Sequence, residues 1–168
     1  MASEKLSVAQ ANLKIALWNA EAEAFTSSHF YEWLQDMGLP EEVVTRLHEL
    51  VSHTMKLGEK VIAIGKVVLV KIIAFVQAHP FLVVGAGVGA VVGAAIYSMV
   101  VSIPFLGQLL EPIARALGFG AVFTGAVVGH GLDKRFKDVG QNIVEIANEF
   151  FKLIADVLSA VSYQIVLA

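Results

Sequence analysis

The chain has 168 residues, 57% of them hydrophobic and only 16% charged, with a formal net charge of −3. Average soluble domains are about 45–50% hydrophobic and ~25% charged, so this composition and a mean hydropathy of +0.71 point to membrane association. No basic tract is present to neutralise phosphates, so nucleic acid is excluded as a partner, and the absence of cysteine excludes disulfides and thiolate metal sites.

By length the chain is one domain or one helical assembly. It opens Met-Ala-Ser-Glu-Lys-Leu-Ser, with no basic stretch running into an apolar core, so no cleaved signal peptide is expected. Residues 4–36 read as a helix with an apolar stripe of Leu6, Ala9, Leu13, Ala16 and Ala20. Phe30, Tyr31 and Trp33 enrich its end. Core packing is the favoured reading of these aromatics and an interfacial belt the second. Residues 33–40, Trp-Leu-Gln-Asp-Met-Gly-Leu-Pro, are similar to the middle of a SAM interaction domain, over a phrase that any helix-turn-helix can produce. Gly38 and Pro40 form a stop-start pair.

From residue 41 the pattern predicts a second helix, to residue 78, weakened by Gly58 and Gly65. Residues 61–76 are apolar apart from Lys66 and Lys71, and two lysines are costly at mid-bilayer. A surface-lying or bundle-packed amphipathic helix fits better than a third span. Lys56, Lys60, Lys66 and Lys71 would then meet anionic headgroups or, equally, face solvent. Residues 48–53, His-Glu-Leu-Val-Ser-His, resemble a zincin motif with one residue too many. Histidines five apart diverge by about 140° on a helix and do not grip one ion.

Residues 79–110 contain no Asp, Glu, Lys or Arg, and after a short interruption residues 116–132 contain none either. A helix over residues 80–101 would be ~33 Å long, the thickness of a bilayer's hydrocarbon core. Gly85, Gly89 and Gly93 recur every fourth residue, and Ala121, Gly125 and Gly129 repeat the device in the second arm, residues 113–132. Small residues at that spacing let helix backbones approach where lipid provides no hydrophobic drive. A glycine-zippered helical hairpin is expected, with Glu111 and Arg115 of the connection spaced to pair as i, i+4. The glycines also fit the G-x-G-x-x-G/A fingerprint and resemble the opening of a Rossmann domain. The spacing continues to Gly93, however, and no second strand follows, so a zipper is the better reading. Lysine and arginine flank the hairpin on its outer ends, which predicts both termini in the cytoplasm.

The last segment, residues 133–168, reads as a heptad-like helix. Its seam is Phe136, Val139, Ile143, Ile146, Phe150, Leu153 and Val157, and its expected partner is another helix of the same chain. The apolar close from residue 160 onward suggests an end that is tucked in.

The expectation is therefore an all-α, membrane-associated protein in three parts: residues 1–79, 80–132 and 133–168. An uncharged hairpin among amphipathic helices is similar in plan to colicin-type pore domains and Bcl-2-like proteins. That resemblance implies an inserting hairpin and carries no functional residues over. A pore-forming or membrane-permeabilising homo-oligomer is the leading reading, with the lipid bilayer and copies of itself as partners. A non-conducting scaffold, filament or coat subunit and a soluble helical interaction module are the alternatives. No catalytic set, metal site or cofactor site is expected.

Overall fold

A hydroxyl cap in mid-course divides the N-terminal helix. The computed structural model of the chain describes residues 7–102, 106–116 and 142–167, and in it α1 runs Val8–Glu23 and α2 Ser27–Asp36. The Ser7 hydroxyl accepts from the Gln10 N–H at 3.1 Å, and the Gln10 side chain accepts from the Ser7 N–H at 3.0 Å. Thr26 and His29 repeat this reciprocal box. The single helix expected over residues 4–36 is thus two, because Thr26 offers the second helix its own start. Gly38, at φ +77°, turns the chain into α3 (Glu41–Glu49).

The helix expected over residues 41–78 is also interrupted. A 3-10 turn (Leu50–Ser52) follows α3, then a hairpin of β1 (Met55–Leu57) and β2 (Lys60–Ile62), then α4 (Ile64–Ala78). Gly58, at φ +64°, opens the two-residue turn of the hairpin. Met55 and Leu57 point inward and Lys56 outward, the period of two that a strand imposes. A third strand, β3 (Ile165–Leu167), pairs antiparallel with the other edge of β1, giving the order β2-β1-β3. The C-terminal segment thus returns to the sheet as a strand, with Ile165 half-buried and Tyr163 before it exposed.

Helix α4 enters the bundle through one close approach. A Cβ on Gly65 would lie 1.5 Å from the Leu50 carbonyl oxygen, so only glycine lets α4 lie against the 3-10 turn. The Gly65 N–H donates to the His53 carbonyl at 3.1 Å, and the Ala63 N–H donates to Asn19 Oδ1 at 2.8 Å. Turn and α1 are both pinned to the start of α4.

The first hairpin arm is two helices, α5 (Pro80–Ala86) and α6 (Val88–Ser102). Gly87 separates them at φ +83°, ψ 153°, a region that side chains exclude. Among the described residues no helix is long and apolar enough to cross a membrane. Helix α7 (Gly107–Ala116) takes up most of the expected connection. It buries Leu110 and Ile113, with Leu106 just before it, and carries the Glu111–Arg115 ion pair expected from their spacing. Residues 117–132, nearly all of the second arm, lie outside the described residues. Helix α8 spans Asn142–Ala160 and is the last α-helix among the described residues.

Helix α6 packs most extensively on α8, and also touches α4 and α7. Helix α1 lies against α4 and α8, while α3 pairs with α2 and α7. One continuous core joins them, with Phe30, Leu34, Leu47, Phe75, Ile96 and Phe151 among its fully buried side chains. The protein is mainly helical, as its periodicity predicts, with one small sheet added.

Candidate functional site

Helices α5 and α6 carry no charged residue, and α6 lies deep in the bundle. Val91, Val92, Ala94, Ala95, Ile96 and Met99 are buried. The small residues Gly93, Ala94 and Ala95 leave room for close helix packing. Ser98 is buried as well, and its hydroxyl donates to Asn148 Oδ1 of α8 at 2.8 Å. A hydroxyl left unbonded there would cost about 1–3 kcal/mol, so this bond fixes how the two helices face each other.

Helix α8 is the amphipathic cover. Ile143, Ala147, Phe151, Ile154 and Leu158 are buried, while Glu145, Glu149, Lys152 and Asp156 are exposed. Of the seam read from the sequence, Ile143 and Val157 are buried, Ile146 and Phe150 half-buried, and Leu153 is 47% exposed. The buried face therefore turns about one residue from that seam over its middle, following the 3.6-residue period of a straight helix. Phe136 and Val139 lie outside the described residues.

The zipper positions divide between two helices. Gly85 belongs to α5, whereas Gly89 (half-buried) and Gly93 (buried) belong to α6 beyond the Gly87 break. Ala121, Gly125 and Gly129 lie outside the described residues. The four lysines do not share one surface either. Lys56 and Lys60 are exposed on β1 and β2; Lys66 is half-buried, with Nζ donating to the Phe25 carbonyl at 3.5 Å. Lys71 is half-buried with Nζ 4.7 Å from the centroid of the Trp18 ring, a cation–π distance. Burial holds its pKa below the ordinary lysine value; Glu21 opposes that shift and Lys14 adds to it.

The stem of Lys71 lines an apolar crevice with Ile15, Trp18, Met55, Met99 and Ile154, which has room for about one water molecule. That is a packing gap between elements, too small for an organic ligand. Near it, Phe75, His79, Phe150 and Phe151 form an aromatic knot that holds the end of α4 to α8. His79 Nδ1 donates to the Phe75 carbonyl at 2.9 Å.

One contact has the outline of a nucleophile and its base. Ser27 Oγ is 2.8 Å from His48 Nε2. The same nitrogen is 3.1 Å from the Ser27 carbonyl, which can only accept. The ring nitrogen thus sits between the hydroxyl and the carbonyl of one residue, with no third hydrogen-bonding group to orient the imidazole among the described residues, and the pair is a clamp between α2 and α3. His53 donates Nδ1 to the Glu49 carbonyl at 3.1 Å, so the two histidines of the near-zincin phrase have separate partners. No group of three His, Asp or Glu residues able to hold a metal occurs among the described residues.

The Ser98–Asn148 bond and the Gly65 contact were not singled out by pattern. A serine within an uncharged run facing an asparagine on an amphipathic helix is the only signal of the first. Comparison with known protein families, characterised proteins and solved structures finds no match to this chain.

Proposed function

We propose that the chain is a membrane-inserting protein that folds in water as a closed helical bundle and permeabilises bilayers as an oligomer. The observation that carries this reading is the position of α6, an uncharged helix from a run of residues without charge (79–110), enclosed beneath the amphipathic helix α8. A helix of that composition is compatible with hydrocarbon along its whole surface. Helix α8 keeps it out of water by turning its apolar side inward and its charges outward. Extending Gly87 into helical conformation would join α5 and α6 into one rod over residues 80–102, ~34 Å long, against a hydrocarbon core of ~30 Å. In lipid, Gly85, Gly89 and Gly93 would come to lie on one face and pack against Ala121, Gly125 and Gly129, or against another copy. The flanking lysines would keep both chain ends on the cytoplasmic side.

The second reading is a water-soluble helical bundle acting as an interaction module. It is favoured by the lack, among the described residues, of any helix that crosses a membrane as it stands.

Liposomes loaded with a self-quenched dye separate the readings. The purified chain is expected to release the dye and to float with the vesicles in a density gradient. Flotation with tight vesicles would leave a non-conducting scaffold in place of a pore. Tight vesicles with the protein left at the bottom would overturn membrane insertion and favour the interaction module.

A further inference from the structure

Helix α1 is apolar on two opposite sides. At 100° per residue, Ala11, Ile15, Trp18 and Ala22 share the side that packs onto α4 and α8. Ala9, Leu13, Ala16, Leu17 and Ala20 share the opposite side, all exposed, with Leu13 at 62% and Leu17 at 60%. The polar residues take the flanks, Asn12 and Asn19 on one and Lys14 and Glu21 on the other. An exposed apolar stripe on a helix already packed on its other side is a candidate contact surface.

We propose that the outer side of α1 binds the same side of α1 from a second copy, with the two helices antiparallel. A two-fold axis between Ala16 and Leu17 sets Leu13 opposite Ala20 and Leu17 opposite Ala16, large against small along the contact. That alternation lets the helices approach to about 8 Å, the close end of helix packing. Charge selects the direction. Lys14 and Glu21 lie on one flank, so an antiparallel pair puts each Lys14 within two residues of the level of Glu21 on the other copy, forming two ion pairs. A parallel pair sets like residues at one level and loses both.

Each outer face offers on the order of 400 Å², so the dimer buries about 800 Å² in all, below the ~1,200 Å² of a stable interface. The dimer is accordingly weak and reversible. Lipid is the poorer occupant. Helices that lie on bilayers carry lysine and arginine along the polar face, whereas Glu21 and Glu23 outnumber Lys14 beside this stripe. The proposal concerns the folded chain in water and does not rest on membrane insertion.

Sedimentation equilibrium of the full chain without detergent, from about 5 to 200 µM, tests it. The mass is expected to rise from the 18.0 kDa monomer toward twice that value. Leu13→Lys with Leu17→Lys should leave the circular dichroism spectrum unchanged, since both side chains are exposed, and weaken dimerisation at least ~30-fold. Lys14→Glu alone should weaken it several-fold, and adding Glu21→Lys should restore it. A mass of 18.0 kDa throughout the range would overturn the proposal. So would a dimer indifferent to the double lysine variant, which would place the contact elsewhere. A monomer whose flotation with liposomes is lost in that variant would give the face to lipid and overturn it too.

Discussion

Gly65→Ala is a single methyl placed where the bundle has no room. Its Cβ would sit 1.5 Å from the Leu50 carbonyl oxygen, less than half of an ordinary carbon–oxygen contact, and the obstacle is backbone. Overpacking against side chains that can yield costs about 1–3 kcal/mol. Here α4 would have to move off the 3-10 turn, which also breaks the Gly65–His53 hydrogen bond, worth roughly 1 kcal/mol more. The buried contacts of Leu50 and Ile64 loosen with it. A loss of about 3–5 kcal/mol is expected, a large part of the ~5–15 kcal/mol that stabilises a typical domain. In urea the midpoint should fall by about 1.5–2.5 M for a slope near 2 kcal/mol/M, and the melting temperature by about 10 °C. Gly38→Ala is the control: its φ is +77° and nothing lies within 4 Å of a Cβ there, so it should cost only ~1–2 kcal/mol of backbone strain. A Gly65→Ala protein within 1 kcal/mol of wild type by urea unfolding would refute the close approach of α4 to the turn.

Three further outcomes are expected. Asn148→Leu leaves the Ser98 hydroxyl buried without its acceptor and should cost about 1–3 kcal/mol, whereas a double-mutant cycle with Ser98→Ala should return a coupling near 1 kcal/mol; zero coupling would mean the bond is not formed. Phe151→Ala, which empties a fully buried site between α6, α4 and the aromatic knot, should cost about 3–5 kcal/mol in the same assay. Lys71 has its pKa lowered on folding, so near and above that pKa the unfolded chain binds more protons than the native one. Stability from this group therefore rises with pH up to the ordinary lysine value of 10.5 and is smallest at neutral pH. The melting temperature of wild type relative to Lys71→Met should climb between pH 7 and pH 10, and a falling difference would show the opposite shift.

The helical content was legible because apolar periodicity runs through most of the chain, and α6 stood out because it lacks charge altogether. The breaks were harder to see. Thr26 and Ser27 mark a helix start, yet they sit inside a stripe that continues on both sides of them. The hairpin carries its signal in Met55-Lys56-Leu57 and Gly58, but three-residue strands give too short an alternation to outweigh a helical reading. Gly87 is one of four glycines between residues 85 and 93, interspersed with alanine and valine, and spacing alone does not say which one adopts positive φ. The stripe Ala9, Leu13, Ala16 and Ala20 was visible in the sequence, although its direction was not: it faces out, and Ala11, Ile15 and Ala22 face in. Periodicity reports which residues share a side of a helix, and only the neighbours decide which side is buried.

A fluorophore on α6 tests the central claim directly. The chain has no cysteine, so Ala90→Cys gives a unique attachment point, half-buried on α6 and near the middle of residues 80–102. An NBD label there should shift to the blue on mixing with liposomes and be quenched by nitroxides on the acyl chains while becoming inaccessible to iodide. Emission that stays as it is in water, with iodide still reaching the label, would contradict the entry of α6 into hydrocarbon.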